Sequence, residues 1–370
     1  MEGKPLTAKA AQFTAHFMDR LLEACRQKNS RLVVGLDPHI ALLPQELLPG
    51  EGRTGEDRTG EDRTGEGRPG EGRTGAEPNL SAEAASRAIL EFNRRIIPAV
   101  ADHAAAVKPQ LAFYERWGWH GMQAYGETVK IAHQHGLLVI ADAKRCDIGS
   151  TAEAYAAAYL GPAGGEKAAD GGVAEDGAAA MDSAAAADDV DMEADAITLQ
   201  PYMGKDGIEP FLRRWTRGKG FFVLVRTSNP GAGDVQDLTV GEEKLYERVA
   251  ALVEEWGSSS VSHASGFSAL GAVAGATYPR ELARLRRLMP HTFFLVPGYG
   301  AQGGDAASVR HAFLPDGSGA VVNSSRQVIF AYREQKCGGE RWRKGEGWWA
   351  DCARQAAERA RLDINAVLAL

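Results

Sequence analysis

The sequence predicts an α/β protein, a (β/α)8 TIM barrel with two low-complexity insertions. Eight short apolar runs alternate with helical patterns along the chain. Each run ends on polar, Gly or Pro residues, and that strand end is the face on which such barrels build their sites. Setting the insertions aside leaves about 310 residues, within the usual size range of a single barrel. The competing architecture is a doubly wound open sheet, but no GxGxxG follows the first strand to favour it.

The elements follow in order. Residues 6–27 place Phe13, Phe17, Leu21 and Ala24 on one face, with Met18, Leu22 and Cys25 beside them, which predicts an amphipathic packing helix. The apolar run 32–36 reads as the first strand. It ends on Asp37-Pro38, and the proline leaves Asp37 at the strand tip. Residues 50–77 hold a pentapeptide of the GEGRT type repeated five times. These units contain no apolar residue that stacking could bury, so a solvated, disordered insertion is expected.

Ser81 opens a helix through Ile89, Phe92, Ile96 and Ile97 to Pro98. Residues 104–107 form the second strand run and lead into Lys108-Pro109-Gln110. The next helix includes Met122, Tyr125, Val129 and Ile131. Its last turn carries His133 and His135, read as surface residues whose charge suits the helix dipole. The third run, 137–141, opens onto Asp142, Lys144 and Asp147, a charged ending that a purely structural strand does not need. Ser150 and Glu153 have capping-box spacing, which predicts a helix start with Thr151 in the first turn and Tyr155 and Tyr159 further on. Residues 161–193 are almost all Ala, Gly and acidic, too poor in apolar area to offset chain entropy, and read as the second insertion.

Five more runs complete the count, at 196–199, 221–225, 270–274, 292–296 and 320–322, with helical patterns at 245–256, 280–288 and 348–362. The whole chain reads as one barrel domain, residues 1–370.

Composition bounds the function. With 44% hydrophobic and 25% charged residues, the 370-residue chain can bury a large core, and its net charge of −7 argues against a nucleic-acid partner. No apolar run approaches the roughly 20 residues needed to cross a bilayer, and the N-terminus lacks an apolar signal segment, so a soluble cytoplasmic protein without a membrane partner is expected. Cys25, Cys146, Cys337 and Cys352 show neither CxxC nor Cys/His spacing. Reduced thiols and no metal site are expected.

In a barrel, the strand tips Asp37, Lys108, Asp142, Lys144, Asp147, Ser228, Gln302 and Arg326 converge on one pocket. Lysines interleaved with carboxylates hold one another ionised, which suits a reaction that develops carbanion charge, with Lys144 as stabiliser and proton donor. A Schiff-base lysine wants a neutral amine, which paired carboxylates oppose. Asn323-Ser324-Ser325-Arg326 offers backbone N–H groups and a guanidinium ahead of a helix, a phosphate-site pattern that Gln302 could join from the seventh loop.

Asp142-Ala143-Lys144-Arg145-Cys146-Asp147-Ile148-Gly149-Ser150-Thr151 resembles the D-x-K-x-x-D-I-G-x-T signature of orotidine 5′-phosphate decarboxylases. The blocks Val34-Gly35-Leu36-Asp37-Pro38, Val107-Lys108-Pro109-Gln110, Thr227-Ser228-Asn229-Pro230-Gly231-Ala232, Pro297-Gly298-Tyr299-Gly300 and Asn323-Ser324-Ser325-Arg326 resemble the longer bacterial branch, type 2. Cys146 stands where that branch often has Gly.

The resemblance implies decarboxylation of orotidine 5′-phosphate to UMP, the last step of de novo pyrimidine synthesis, without cofactor or metal. It implies a charged tetrad of Lys108, Asp142, Lys144 and Asp147, with Asp37 on ribose, Ser228 on the pyrimidine edge, and Gln302 and Arg326 on phosphate. It also implies a homodimer in which Asp147 and Thr151 reach the partner's site. Two alternatives stand beside it: a metal-dependent sugar-phosphate aldolase or synthase on the same barrel, and a non-catalytic barrel that binds a phosphate ligand.

Overall fold

The computed structural model describes residues 15–49, 78–162, 192–300, 306–334 and 347–368. The 50–77 insertion, most of the 161–193 insertion, Phe13 and Gln302 therefore lie outside the described residues.

All eight predicted strands are present: β1 (Leu32–Leu36), β2 (Ala106–Pro109), β3 (Leu138–Arg145), β4 (Ala196–Leu199), β5 (Gly220–Arg226), β6 (Leu270–Ala274), β7 (Phe294–Val296) and β8 (Ala320–Ser324). They pair in parallel in the closed order β1-β8-β7-β6-β5-β4-β3-β2. Closure leaves no barrel edge unpaired. Their nearly continuous apolar runs follow from burial on both faces, against the barrel interior and against the helices. A two-stranded hairpin, Thr239–Val240 with Glu243–Lys244, lies outside the barrel and has no counterpart among the predicted elements.

Helix α1 (Phe17–Gln27) closes the N-terminal end of the barrel. Phe17, Met18, Leu21 and Leu22 share a buried cluster with the inward side chains Val33, Ile140, Phe222, Val273, Leu295 and Val321. Phe17 meets Phe222 edge-on at 6.2 Å between ring centroids. Gly220 makes that approach possible, because a β-carbon there would stand 2.1 Å from the Phe17 ring.

The outer layer comprises α2 (Ala82–Val100), α3 (Gly118–Gln134), α4 (Gly149–Leu160), α5 (Lys205–Leu212), α6 (Leu245–Gly257), α7 (Pro279–Leu288) and α8 (Trp348–Leu368). Ser81 caps α2 as expected, its hydroxyl accepting the Ala84 amide at 3.2 Å. The helix runs past Pro98 to Val100, since one proline in the last turn removes only one hydrogen bond. At the seam where the chain closes on itself, Trp349 of α8 stacks on Phe92 of α2 at 5.1 Å. Such a pair adds about 0.5–1.5 kcal/mol beyond area burial. Among the described residues, no helix is long and apolar enough to cross a membrane.

Of the local expectations, the capping box and the reduced state of every thiol fail. The Ser150/Glu153 capping box does not form, because α4 starts at Gly149 and Glu153 instead pairs with the fully buried Arg214 at 2.5 Å. His133 is exposed on the last turn of α3, as expected, and its Nε2 also lies 2.9 Å from Oδ2 of buried Asp195. Cys25 and Cys146 are free thiols but Cys352 is disulfide-bonded, a pairing fixed by Cα separation in space, which scattered sequence positions conceal.

Candidate active site

A cavity of about 840 Å³ opens at the C-terminal ends of the strands. All eight strands or the residues just after them line it: Asp37 after β1, Lys108 on β2, Asp142 and Lys144 on β3, Thr198 on β4, Leu224 on β5, Val273 on β6, Leu295 on β7 and Asn323 on β8. Ser228 and Arg326 also face it. Six of the nine predicted site residues thus meet in one place. Asp147 and Thr151 are not among the lining residues. Asp147 is half-buried and accepts the Ile148 amide at 2.8 Å, and Thr151 is exposed on the first turn of α4.

Asp142 is the centre of the arrangement. The strand that carries it extends four residues beyond the predicted 137–141 run, so Asp142 and Lys144 belong to the strand itself and not to a turn after it. Period-two alternation from inward Ile140 then puts Asp142 on the inner face. Asp142 is only 7% exposed, and its two oxygens accept four side-chain hydrogen bonds. Oδ2 takes Lys108 Nζ at 2.5 Å and Gln110 Nε2 at 3.0 Å, and Oδ1 takes Lys144 Nζ at 2.6 Å and the Thr198 hydroxyl at 2.9 Å.

The electrostatics follow from burial and charge together. Burial pushes the Asp142 carboxyl up, but the Lys108 and Lys144 ammonium groups outweigh it and hold the group well below the usual carboxylate range. Burial likewise works to lower Lys108, and the Asp142 and Asp37 carboxylates outweigh it, so Lys108 stays charged above its ordinary value. The result is a buried carboxylate kept ionised between two cations.

Lys144 has a left-handed backbone, φ 47°, at a register shift between Ala141 and Arg145 in the β3–β4 ladder. A non-glycine residue there costs on the order of 1–3 kcal/mol and persists only where its surroundings over-determine it. The bulge re-aims the side chain towards Asp142, and the Lys144 amide donates to Thr198 Oγ1 at 3.0 Å.

Just after strand β1, Asp37 Oδ2 accepts the Ser325 hydroxyl at 2.6 Å, while its buried Oδ1 has no partner among the described residues. Gly35, opposite Lys108 in the β1–β2 ladder, keeps the space open: a β-carbon there would lie 2.7 Å from Ser325 Cβ. Arg326 begins a four-residue helix, Arg326–Ile329, right after β8.

Sequence reasoning missed three contributors. Gln110 and Thr198 hold Asp142, and the Ser325 side chain holds Asp37. The signal for Thr198 was its place as the only hydroxyl in an apolar inward-facing run, and for Gln110 its position two residues beyond Lys108.

A closed parallel barrel with a lysine–carboxylate–lysine array at its C-terminal mouth, in one cavity with an arginine and an aspartate, defines a barrel enzyme for a small anionic ligand. The orotidine 5′-phosphate decarboxylase / HUMPS family profile matches residues 30–336, and the chain belongs to that family. It is 41% identical over 321 residues to the orotidine 5′-phosphate decarboxylase of Rhodopirellula baltica, spanning 86% of this chain and 90% of that one. The Caldicellulosiruptor saccharolyticus enzyme of the same name is 37% identical over the same shares of both chains. The solved structure of Leishmania donovani OMP decarboxylase is similar at TM-score 0.63 and 29% identity, over 96% of this chain and 100% of that one.

Proposed function

We propose that this protein decarboxylates orotidine 5′-phosphate to UMP. The observation that carries the reading is Asp142, buried and ionised between Lys108 and Lys144. The reaction breaks the bond from C6 to its carboxylate, releases carbon dioxide and leaves an electron pair on C6. The Lys144 ammonium stabilises that charge and delivers the proton that completes UMP, and the neutral amine regains a proton from water. Asp142 sets the lysine ammonium in place and puts a negative charge where the departing carboxylate must sit. Both charge and proton come from the chain's own side chains.

The remaining roles belong to the same proposal. Asp37 takes a ribose hydroxyl, Ser228 the pyrimidine edge, and Arg326 with Gln302 the phosphate. Asp142 is ill suited to the metal-dependent alternative, because a cation would have to displace donors from oxygens already accepting four bonds.

Asp147 and Thr151, outside this cavity, serve a second copy in a homodimer. Support comes from Trp119, Ile148, Tyr202 and Met203, exposed by 65%, 48%, 89% and 43% on the segments that follow β2, β3 and β4 at the mouth. Sedimentation equilibrium tests the pairing, and a monomer at micromolar concentration rejects it. A cytoplasmic location is part of the same reading, and cell fractionation checks it.

The direct test is the ultraviolet absorbance of orotidine 5′-phosphate. Adding the protein should abolish it at the same rate with and without a chelator. No change at micromolar enzyme rejects the function, and loss on chelation returns the reading to the aldolase class.

A further inference from the structure

The catalytic lysine proposed above is a strained residue, and the structure shows what holds it. Lys144 sits at φ 47° on the bulge of β3, where its own amide is held by Thr198. On the other side stands Arg145. Its guanidinium folds back so that Nη1 donates to the Ala143 carbonyl at 3.3 Å, linking the residues before and after Lys144. Nη2 donates to Glu115 Oε1 and, at 2.7 Å, to the Tyr159 hydroxyl, which itself donates to Glu115 Oε1 at 3.0 Å. The guanidinium also lies 5.1 and 5.3 Å from the ring centroids of Tyr155 and Tyr159.

These partners come from both neighbouring units. Glu115 ends the short helix Ala112–Glu115 that follows Lys108-Pro109-Gln110, and Tyr155 and Tyr159 lie on α4. Arg145 therefore ties the bulge to the segment carrying Lys108 and to the helix after β3.

Resting on the decarboxylase reading, we infer that Arg145 is a positioning residue: with Glu115 and Tyr159 it locks the β3 bulge so that the Lys144 ammonium stays on Asp142, where the proton is delivered. A planar fork is required, because one side chain must serve a carbonyl, a carboxylate and a phenol while lying against two rings. A lysine offers a point charge without that geometry. Arg145 faces neither Ser228 nor Arg326, so its loss should act on the chemical step and spare ligand binding.

The test compares Arg145→Met, Arg145→Lys, Glu115→Gln and the double variant Arg145→Met/Glu115→Gln in the intact protein. The measurements are kcat and KM for orotidine 5′-phosphate and Kd for UMP. Arg145→Met should lower kcat tenfold or more with UMP affinity within threefold of wild type, and Arg145→Lys should recover only part of the loss. The double variant should lose no more than Arg145→Met, since Glu115 acts through Arg145. A kcat within twofold of wild type for Arg145→Met overturns the inference, as does an equal fall in kcat and UMP affinity. If Arg145→Met does not fold, Glu115→Gln decides: a kcat threefold or more below wild type with unchanged UMP affinity supports the role, and wild-type kcat overturns it. A wild type that leaves orotidine 5′-phosphate untouched refutes the decarboxylase reading and this inference with it. An active wild type with unaffected variants refutes the inference alone.

Discussion

At the scale of single residues, the two cations on Asp142 differ in burial, and their loss should read out differently. Lys144 has 39% of its side chain exposed, so removing it breaks a partly solvated pair. Lys144→Ala should abolish turnover while UMP still binds, with stability changed by less than about 1 kcal/mol. Asp142→Ala strips the 6%-exposed Lys108 of its bonded carboxylate and leaves it only the Asp37 charge nearby. That costs about 3–5 kcal/mol, visible as a lower urea midpoint, and turnover falls as well. Turnover in Lys144→Ala, or an unshifted midpoint in Asp142→Ala, would contradict these assignments. The charged residues were legible because ionisable groups at the end of an apolar run have no packing purpose. The neutral groups were not: Thr198 and Gln110 owe their roles to which strand lies beside β3, information that exists only once the barrel closes.

At the scale of elements, Asp195 joins four pieces of the N-terminal half. Its carboxylate accepts Arg20 of α1 at 2.6 Å, His133 of α3 at 2.9 Å and the Val139 amide of β3 at 2.8 Å, directly ahead of β4. Burial pushes the group up, but His133, Arg20 and the amide outweigh it and bring it from the ordinary 3.8 to about 2. A depressed carboxyl contributes stability that is fully present above its unfolded value and lost as pH falls through the folded one. At about 1.4 kcal/mol per pH unit, the contribution is roughly 2 kcal/mol, lost between about pH 4 and pH 2. Asp195→Asn should lower the melting temperature at pH 7, and the gap to wild type should close as pH approaches 2. A constant gap across that range would refute the linkage. Strands were the most legible elements, since eight apolar runs became eight strands. Helix ends were less so: the Ser150 cap pattern lost Glu153 to Arg214, a partner 61 positions away along the chain that no local rule can see.

At the scale of the whole molecule, the barrel tolerates long connections because each strand is fixed by its neighbours and not by loop length. Pro162 and Glu193 flank the second low-complexity stretch, and the Arg217 guanidinium binds both, so the two ends of the connection stand within reach of one side chain. That junction joins the end of α4 to the start of β4, on the side opposite the cavity. Replacing residues 164–190 with a short Gly/Ser linker should leave kcat and KM within twofold of wild type, and so should deleting residues 51–75. Steady-state assays decide, and an inactive deletion would give that stretch a role in the site.

The helix α1 that seals the N-terminal end has a consequence for traffic. With Phe17, Met18, Leu21 and Leu22 filling that end, the barrel is a cup and not a tube. Nucleotide substrate must enter, and nucleotide product must leave, through the same opening between the strand tips. Residence of UMP in the cup then blocks the next molecule outright, so UMP competes directly with substrate. Anything that covers the rim, including a second copy of the chain, slows arrival and departure together.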